Sequence, residues 1–183
     1  MLTKKYDSLG CVASVMDKVM IFGRPGSGKS TFATQLAKKF HLPVHNLDRH
    51  FFVANWKDRD YKEFLDIQQQ LVMMPKWVID GNAMRSLETR FQQADVAIYF
   101  HFNVWRCLWR MLKRVSRKDW DIPDLADGFS KTIRWKLISY MFNFHKRYCP
   151  FIQELRIKYP YVQFHIFKTD KDVHNFLNST QKK

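Results

Sequence analysis

Residues Gly23 to Ser30 carry the pattern G-x-x-x-x-G-K-[ST], which is typical of a loop that binds phosphate groups. The glycines allow the backbone to curve around a phosphate so that successive N–H groups point inward. The Lys29 ammonium is placed to reach the β- and γ-phosphates of a nucleotide, and the Ser30 hydroxyl to bind Mg²⁺. We therefore expect ATP and Mg²⁺ as ligands. The residues expected to contact the nucleotide are Gly23, Pro25, Gly26, Ser27, Gly28, Lys29, Ser30 and Thr31.

The residues on either side give this loop the context that it requires. An apolar strand candidate, Val19–Phe22, comes directly before it. Residues 31–40 follow it and place apolar side chains at helical spacing. A helix that begins at the loop adds a dipole that favours bound anions. The sequence of strand, loop and helix favours a nucleotide site over a chance match.

Two aspartates follow predicted strands. Asp48 comes at the end of residues 43–47, and Asp80 at the end of residues 77–79. Ligands of a doubly wound sheet bind outside the carboxyl ends of its strands, so both carboxylates should lie beside the phosphate loop. Asp80 has the Walker B form and is the candidate to organise Mg²⁺ together with Ser30. Asp48 can take a proton from an acceptor hydroxyl or act as an outer ligand of the metal. Either could instead cap a helix or stabilise a turn.

Several arginines are candidates to bind phosphate. Arg85 and Arg90 follow Asp80 about one turn apart and could clamp the acceptor or the transferred phosphoryl group. Arg110 belongs to a series with Arg106 and Arg114 at intervals of four residues, and it could reach the phosphates or stack on a base. The alternative is a set of surface arginines, with the series forming the basic face of an amphipathic helix. On the functional interpretation, the expected catalytic residues are Lys29, Asp48, Asp80, Arg85 and Arg110.

Apolar segments of strand length alternate with segments of helical periodicity along the chain. This alternation predicts an α/β fold with a parallel sheet covered on both faces. Together with the phosphate loop, it favours a P-loop NTPase three-layer α/β/α sandwich with a five-stranded parallel sheet. The predicted strands are 19–22, 43–47, 77–79, 94–102 and 161–167. The predicted helices are 29–41, 57–73, 104–116, 129–145, 150–158 and 170–178.

A chain of 183 residues is long enough for one domain with a substantial core. We expect residues 1–16 to form an N-terminal extension and residues 17–183 to form a P-loop kinase-like domain. Residues 116–130 break the periodicity with four aspartates, a proline and a glycine. They could form a lid-like cover over bound phosphates or an ordinary surface loop.

The net charge of +14 indicates polyanionic partners, and nucleotides, nucleic acid and acidic membrane surfaces are all candidates. No apolar run approaches the roughly 18 residues of a membrane span, so we expect no membrane partner. The three cysteines, Cys11, Cys107 and Cys149, are widely spaced without a C-x-x-C pair. They indicate reduced thiols and a cytoplasmic protein, and we expect no structural metal.

From about residue 18 to residue 177, the chain resembles the bacterial DNA topology modulation (FlaR-like) proteins, a branch of the adenylate kinase-like P-loop NTPases. The segments that carry the resemblance are residues 23–31, 42–48, 77–82, 107–110, 123–128 and 143–147, together with Arg85 and Arg90. The resemblance implies a kinase-like core with the strand order 2-3-1-4-5. It also implies that Asp48, Asp80, Arg85, Arg110 and Arg147 lie near the site.

Two segments depart from the pattern of these proteins. The family usually has Asp followed by Pro-Arg after the fourth strand, whereas this chain has His101-Phe102-Asn103-Val104. Ala83-Met84 also replaces a more polar and aromatic pair. Both departures concern the choice of acceptor and leave ATP binding intact.

The leading functional interpretation is a nucleotide or small-molecule kinase that transfers the γ-phosphoryl group of Mg-ATP. The first alternative is a nucleic-acid-associated regulator that binds ATP with little turnover, which the charge and the resemblance favour. The second is an ATPase coupled to a partner protein, with the aromatic residues of 135–148 at the interface rather than in the core.

Overall fold

The computed structural model describes residues 16–53, 57–116 and 135–179. The predicted N-terminal extension and the predicted lid-like segment therefore lie outside the described residues, except for Met16 and Ser116. None of the helices in the described part of the chain combines the length and the apolar character that crossing a lipid bilayer requires.

Five parallel strands form the central sheet of the described residues, in the order β2-β3-β1-β4-β5. This result confirms the predicted fold class and strand order. The central strand β1 pairs with β3 and β4, so that Ile21 lies opposite both Asp80 and Ile98. The bounds are β1 Lys18–Gly23, β2 Val44–Asn46, β3 Trp77–Asp80, β4 Val96–Phe100 and β5 Gln163–Phe167.

Helices connect these strands. A short antiparallel pair, Phe52–Val53 with Lys57–Asp58, follows α2, and a 3₁₀ turn, Met84–Ser86, precedes α4. The helices are α1 Lys29–Phe40, α2 Leu47–Phe51, α3 Tyr61–Met73, α4 Leu87–Phe91, α5 Val104–Ser116, α6 Trp135–Lys158 and α7 Asp170–Ser179.

Hydrophobic side chains cover both faces of the sheet. In β1, Val19 and Ile21 pack with α1, α5 and α7 on one face. Met20 and Phe22 pack with α3, α4 and much of α6 on the other face. Because β1 is central, all four side chains are completely buried, as expected for a strand that is covered on both faces. The molecule therefore has three layers, with the carboxyl ends of its strands along one edge.

Three local predictions were wrong. The predicted helix 57–73 begins only at Tyr61, where Asp60 accepts hydrogen bonds from the first-turn N–H groups. Strand β2 ends at Asn46, and Asp48 lies in the short helix α2 instead of at the strand end. The predicted helices 129–145 and 150–158 are one helix from Trp135 onward, with Pro150 inside it. Buried side chains on either side of the proline, such as Phe144 and Ile152, stabilise the continuous helix despite the lost hydrogen bond.

Candidate functional site

The phosphate loop joins β1 to α1, and its backbone geometry requires glycine. Gly23 has φ 137°, and a Cβ there would lie 2.4 Å from the Phe100 carbonyl oxygen. Gly26 has φ 75°, and a Cβ there would lie 2.7 Å from the Cys107 carbonyl oxygen. Other residue types would be strained or would clash at both positions. The loop therefore packs tightly between β4 and α5.

Helix α1 begins at Lys29 without a side chain that caps it. The first-turn N–H groups of a helix have no partner inside the helix, so those of α1 are available to an anion. The Lys29 ammonium donates to the Arg24 carbonyl oxygen at 3.2 Å, inside the loop itself. A bound phosphate would compete for this ammonium. The Lys29 ammonium and the first-turn N–H groups of α1 therefore lie together in the loop, and phosphate binding by them stays a prediction.

The Ser30 hydroxyl and the Asp80 carboxylate meet at the end of β3, as predicted. Ser30 Oγ donates to Asp80 Oδ2 at 2.6 Å, and Asn46 Nδ2 lies 3.3 Å from the same oxygen. The other oxygen, Asp80 Oδ1, is buried and has no hydrogen-bond partner among the described residues. Burial raises the pKa of Asp80, against the lowering effects of Lys29 and of the Ser30 hydrogen bond.

This pair of oxygens fits a magnesium ion. Carboxylate and hydroxyl oxygens are the ligands that Mg²⁺ prefers, and it usually binds one or two protein ligands together with substrate phosphates and water. An unpartnered buried carboxylate oxygen next to a phosphate loop matches that requirement. Within the described ranges, no group of three or more His, Cys, Asp or Glu side chains could hold a metal. A cation at Asp80 would therefore rely on the nucleotide and on water for its remaining ligands.

Asp48 lies near Asp80 although it is not at a strand end. Its surroundings raise the pKa of Asp48 by desolvation, whereas the charges of Lys29 and Arg90 lower it. By surface area, however, the residue is exposed. Asp48 therefore has many protein atoms around it and still contacts solvent. The carboxylate is accordingly accessible to a substrate, and Lys29 and Arg90 favour its ionised form against the effect of burial.

The two arginines that follow Asp80 have different environments. Arg90 is fully buried and donates to the carbonyl oxygens of Gly81, Asn82 and Ala83 at 2.6–3.2 Å. Burial lowers the pKa of Arg90 to about 9, so it remains protonated at neutral pH. Arg85 is exposed, and its guanidinium lies 4.4 Å from the centroid of the Tyr61 ring. Arg90 thus holds the backbone after β3, and Arg85 is accessible to a ligand.

Arg110 of α5 reaches the phosphate loop. It donates to the Ser27 carbonyl oxygen at 2.9 Å and to both carboxylate oxygens of Asp170 at 2.6 and 2.8 Å. Arg106 pairs with the same carboxylate. Asp170, in the first turn of α7, therefore positions Arg110 beside the loop. Arg147, which the resemblance placed near the site, lies over the ring of its neighbour Tyr148.

A cavity of about 240 Å³ opens beside the Ser30–Asp80 pair. Two histidines line it, His45 of β2 and His50 of α2. Burial lowers the pKa of both, so they are neutral at pH 7. Arg49 of α2 also lines this cavity. The sequence analysis did not identify these side chains, because isolated histidines and arginines carry no recognisable pattern.

Further side chains that the sequence analysis did not single out border the site. Asn82 Oδ1 accepts a hydrogen bond from the Gly23 N–H at 2.9 Å and so connects the end of β3 to the phosphate loop. The Tyr140 hydroxyl of α6 is within hydrogen-bonding distance of Asn82 and Tyr148, and burial raises the pKa of Tyr140. Asn46 ends β2 and Asn82 closely follows β3, and polar residues at strand ends could have been recognised as site candidates in the sequence. Tyr140 is too far away in the sequence for such a pattern. Its approach depends on how α6 packs.

A histidine pair lies behind the phosphate loop. The rings of His101 and His145 are 4.0 Å apart by centroid, and the Tyr99 hydroxyl lies within 3.4 Å of Nδ1 of each. Burial, together with the charges of His145, Arg24 and Lys168, lowers the pKa of His101 to about 4. Arg24 is itself buried, donates to the carbonyl oxygens of Met141 and Phe102, and connects the loop to α6.

Among known proteins, the chain is similar in its three-dimensional structure to solved structures, and it matches no family model and no curated sequence. A shikimate kinase from Bacteroides thetaiotaomicron superposes with a TM-score of 0.56 at 15% identity, over 91% of this chain and 99% of that chain. A shikimate kinase from Acinetobacter baumannii, solved with shikimate, gives 0.56 at 13% identity, over 93% and 97%. A gluconokinase from Sinorhizobium meliloti gives 0.55 at 13% identity, over 90% and 89%.

At these identities the similarity establishes the fold. The chain has the P-loop kinase fold of these small-molecule kinases, which agrees with the predicted adenylate kinase-like architecture. Activity and substrate do not follow from fold alone, and they depend on the site described above.

Proposed function

We propose that this protein is a small-molecule or nucleotide kinase that transfers the γ-phosphoryl group of Mg-ATP to an acceptor beside Asp48. The observation that carries the proposal is the Ser30–Asp80 hydrogen bond of 2.6 Å, with Asp80 Oδ1 buried and unpartnered next to Lys29. A phosphate loop that only stabilised the fold would not need this buried carboxylate, because an unpaired buried oxygen costs free energy.

The residues of the loop have distinct roles in the proposed reaction. The first-turn N–H groups of α1 bind the phosphates, and Lys29 exchanges the Arg24 carbonyl oxygen for phosphate oxygens. Ser30 and Asp80 would hold Mg²⁺, which neutralises charge on the β- and γ-phosphates when it is bound. Arg110, positioned by Asp170, lies where it can stabilise charge on the same groups.

We further propose that the acceptor is a small molecule with a hydroxyl group and an anionic group. The Asp48 carboxylate is exposed and lies within electrostatic range of Lys29, so it can accept the proton of an attacking hydroxyl. A phosphate nucleophile would instead be repelled by this carboxylate. Arg85, held on the Tyr61 ring, is accessible to an anionic group of the acceptor. Two of the similar structures are shikimate kinases, one with bound shikimate, and another is a gluconokinase.

The family branch and the cellular location of the protein are part of the same proposal. We place the protein among the DNA topology modulation (FlaR-like) branch on its sequence motifs, and in the cytoplasm, where ATP is available. Nucleic-acid binding stays a prediction from the charge of +14. A filter-binding titration against salt tests it, because phosphate contacts give a steep decrease of affinity with salt.

The proposal is tested by ATP-to-ADP turnover screened against nucleoside monophosphates, sugars and small hydroxy acids. We expect one class to stimulate turnover, and Asp80→Asn to lower the stimulated rate by about a hundredfold. Because burial raises the pKa of Asp80, its ionised form destabilises the fold, and Asp80→Asn without nucleotide should melt no lower than the wild type. Turnover that no acceptor stimulates, or that Asp80→Asn leaves unchanged, would contradict the proposal.

A further inference from the structure

Helices α5 and α6 expose large apolar side chains to solvent. We call this surface the tryptophan face and define it as Trp105, Trp109 and Leu112 of α5 with Trp135 and Phe142 of α6. Between 42% and 83% of the surface of each side chain is exposed. Single exposed apolar residues are ordinary, but a contiguous group of this kind marks an interaction site.

The members of the tryptophan face form one surface on two adjacent helices. Trp105, Trp109 and Leu112 are four and three residues apart, so they lie along one side of α5. Trp135 and Phe142 are seven residues apart on α6 and likewise share one side. The rings of Trp105 and Phe142 contact each other edge to face at 5.2 Å between centroids. The two apolar sides are therefore continuous.

Two cationic side chains of α5, Lys113 and Arg114, accompany this face. Helix α5 contains four Lys or Arg and no Asp or Glu, and two of the four, Arg106 and Arg110, are paired with Asp170 of α7. The Lys113 ammonium lies 4.7 Å from the centroid of the Trp109 ring, and Arg114 is exposed beside it. Apolar tips and positive charges thus alternate along α5, and a partner must accept both.

We propose that the tryptophan face docks on an anionic phospholipid surface. Tryptophan rings prefer the level of the lipid headgroups, apolar side chains such as Leu112 enter the acyl boundary, and flanking cations bind anionic headgroups. A second copy of this chain is a poorer occupant, since two cationic faces in a molecule of net charge +14 repel each other. Single-stranded nucleic acid would use the rings for stacking in a basic groove, whereas these side chains project from the outer sides of helices.

Such contact would be peripheral, since no helix among the described residues could cross a bilayer. It revises the expectation of no membrane partner, which rested on the lack of a spanning segment. Docking would also orient the phosphate loop, because Arg110 of the same helix α5 donates to the Ser27 carbonyl oxygen. The inference concerns binding and does not depend on the proposed kinase activity.

Cosedimentation of the full chain with vesicles tests the inference. Vesicles of phosphatidylcholine mixed with phosphatidylglycerol should bind the protein at low salt and release most of it at high salt. Vesicles of phosphatidylcholine alone should bind it weakly. Tryptophan fluorescence should shift to shorter wavelength only with the anionic vesicles. Equal binding to both kinds of vesicle, or to neither, would overturn the inference.

Substitutions locate the contact. Trp105→Ala combined with Trp109→Ala should weaken vesicle binding by about tenfold or more and remove most of the fluorescence shift. Ile157→Ala is the matched control, because Ile157 is 81% exposed on the other half of α6. Lys113→Gln combined with Arg114→Gln should weaken binding by about thirtyfold, and Lys38→Gln on α1 is its control.

The folding of the variants and their binding to other partners also test the proposed lipid contact. All variants should keep the far-ultraviolet circular dichroism of the wild type, since the substituted side chains are exposed or partly exposed. Vesicle binding that the tryptophan variant retains would place the contact elsewhere and overturn the inference. Binding of a single-stranded oligonucleotide, or self-association, that depends on Trp105 and Trp109 without vesicle binding would identify another occupant and overturn it as well.

Discussion

The two sides of the site are built in different ways. The phosphate side consists of consecutive residues, Gly23 to Ser30, whose backbone N–H groups and glycine conformations define it. The proposed acceptor side consists of single side chains from separate elements, with Asp48 from α2, Tyr61 from α3 and Arg85 from the 3₁₀ turn. The first side is therefore defined by a local sequence pattern, although β4, α5 and Asn82 contact it. The second side depends on tertiary packing.

This difference implies that the two sides respond differently to substitution. A change in the phosphate loop should abolish ATP chemistry with every acceptor, because all of them share the same donor. A change on the acceptor side should alter the response to one acceptor and leave ATP binding intact. Substitutions of Lys29, Asp48 and Arg85 test this separation, in order of decreasing expected effect, and a substitution of His101 away from both sides tests stability alone.

Lys29→Ala should lower acceptor-stimulated turnover by about a thousandfold or more, since Lys29 is the cation that the loop supplies to the transferring phosphoryl group. The loss should be equal for every acceptor. Turnover by coupled assay measures it, and Lys38→Ala on the exposed side of the same helix is the control. A loss confined to one acceptor would show that Lys29 belongs to the acceptor side.

Asp48→Asn should lower turnover by about a hundredfold or more and leave ATP affinity unchanged, because the amide cannot take a proton from the acceptor hydroxyl. In the wild type, the rate should rise with pH as Asp48 ionises. The rate of the variant should not show this rise. Steady-state kinetics against pH give both quantities. A decrease smaller than about tenfold would favour a phosphate acceptor over a hydroxyl.

Arg85→Ala should raise the acceptor KM by about tenfold with little change in kcat or in ATP affinity, because a charged hydrogen bond to the acceptor is lost. Arg156→Ala is a matched control, since the Arg156 guanidinium also lies on an aromatic ring, 4.5 Å from the centroid of Phe164. Initial rates at varied acceptor and ATP concentrations separate the two constants. An increase in the ATP KM instead would assign Arg85 to the phosphate side.

His101→Gln should have the smallest effect, and on stability rather than on turnover. The folded protein lowers the pKa of His101 to about 4, so the unfolded chain binds more protons between pH 6.5 and that value. Stability should therefore decrease as pH falls through this range, by about 1 kcal/mol after allowance for solvent screening. The variant should show a shallower decrease in thermal unfolding, whereas His174→Gln on the exposed side of α7 should not.

The sequence alone could predict the structural features that are defined by residues close together in the chain. The phosphate loop and the strand that ends at Asp80 could be predicted because local pattern defines both. The meeting of Ser30 with Asp80, which are 50 residues apart, followed because parallel strands end at one edge of a sheet. The arrangement of the sheet itself came from the resemblance to a known architecture, and the structure confirms it.

Side chains that approach through packing could not be predicted in the same way. Asn82 binds the Gly23 N–H across 59 residues, and Arg24 binds the Met141 carbonyl oxygen across 117 residues, without any sequence pattern. Asp170, which positions Arg110, was likewise invisible as a partner of α5. Helix α6 continues through Pro150 because burial on either side outweighs the local preference, which no local pattern reveals.

The most direct test of the account follows the γ-phosphate itself. The wild type is incubated with Mg²⁺, γ-labelled ATP and the acceptor that stimulates turnover most, and the labelled product is identified by phosphorus NMR or chromatography. The account predicts that the label appears in an ester of the acceptor hydroxyl, and that Asp48→Asn and Lys29→Ala slow the formation of this ester by about a hundredfold and about a thousandfold or more. Label that appears as inorganic phosphate at a rate independent of acceptor would contradict phosphoryl transfer at this site.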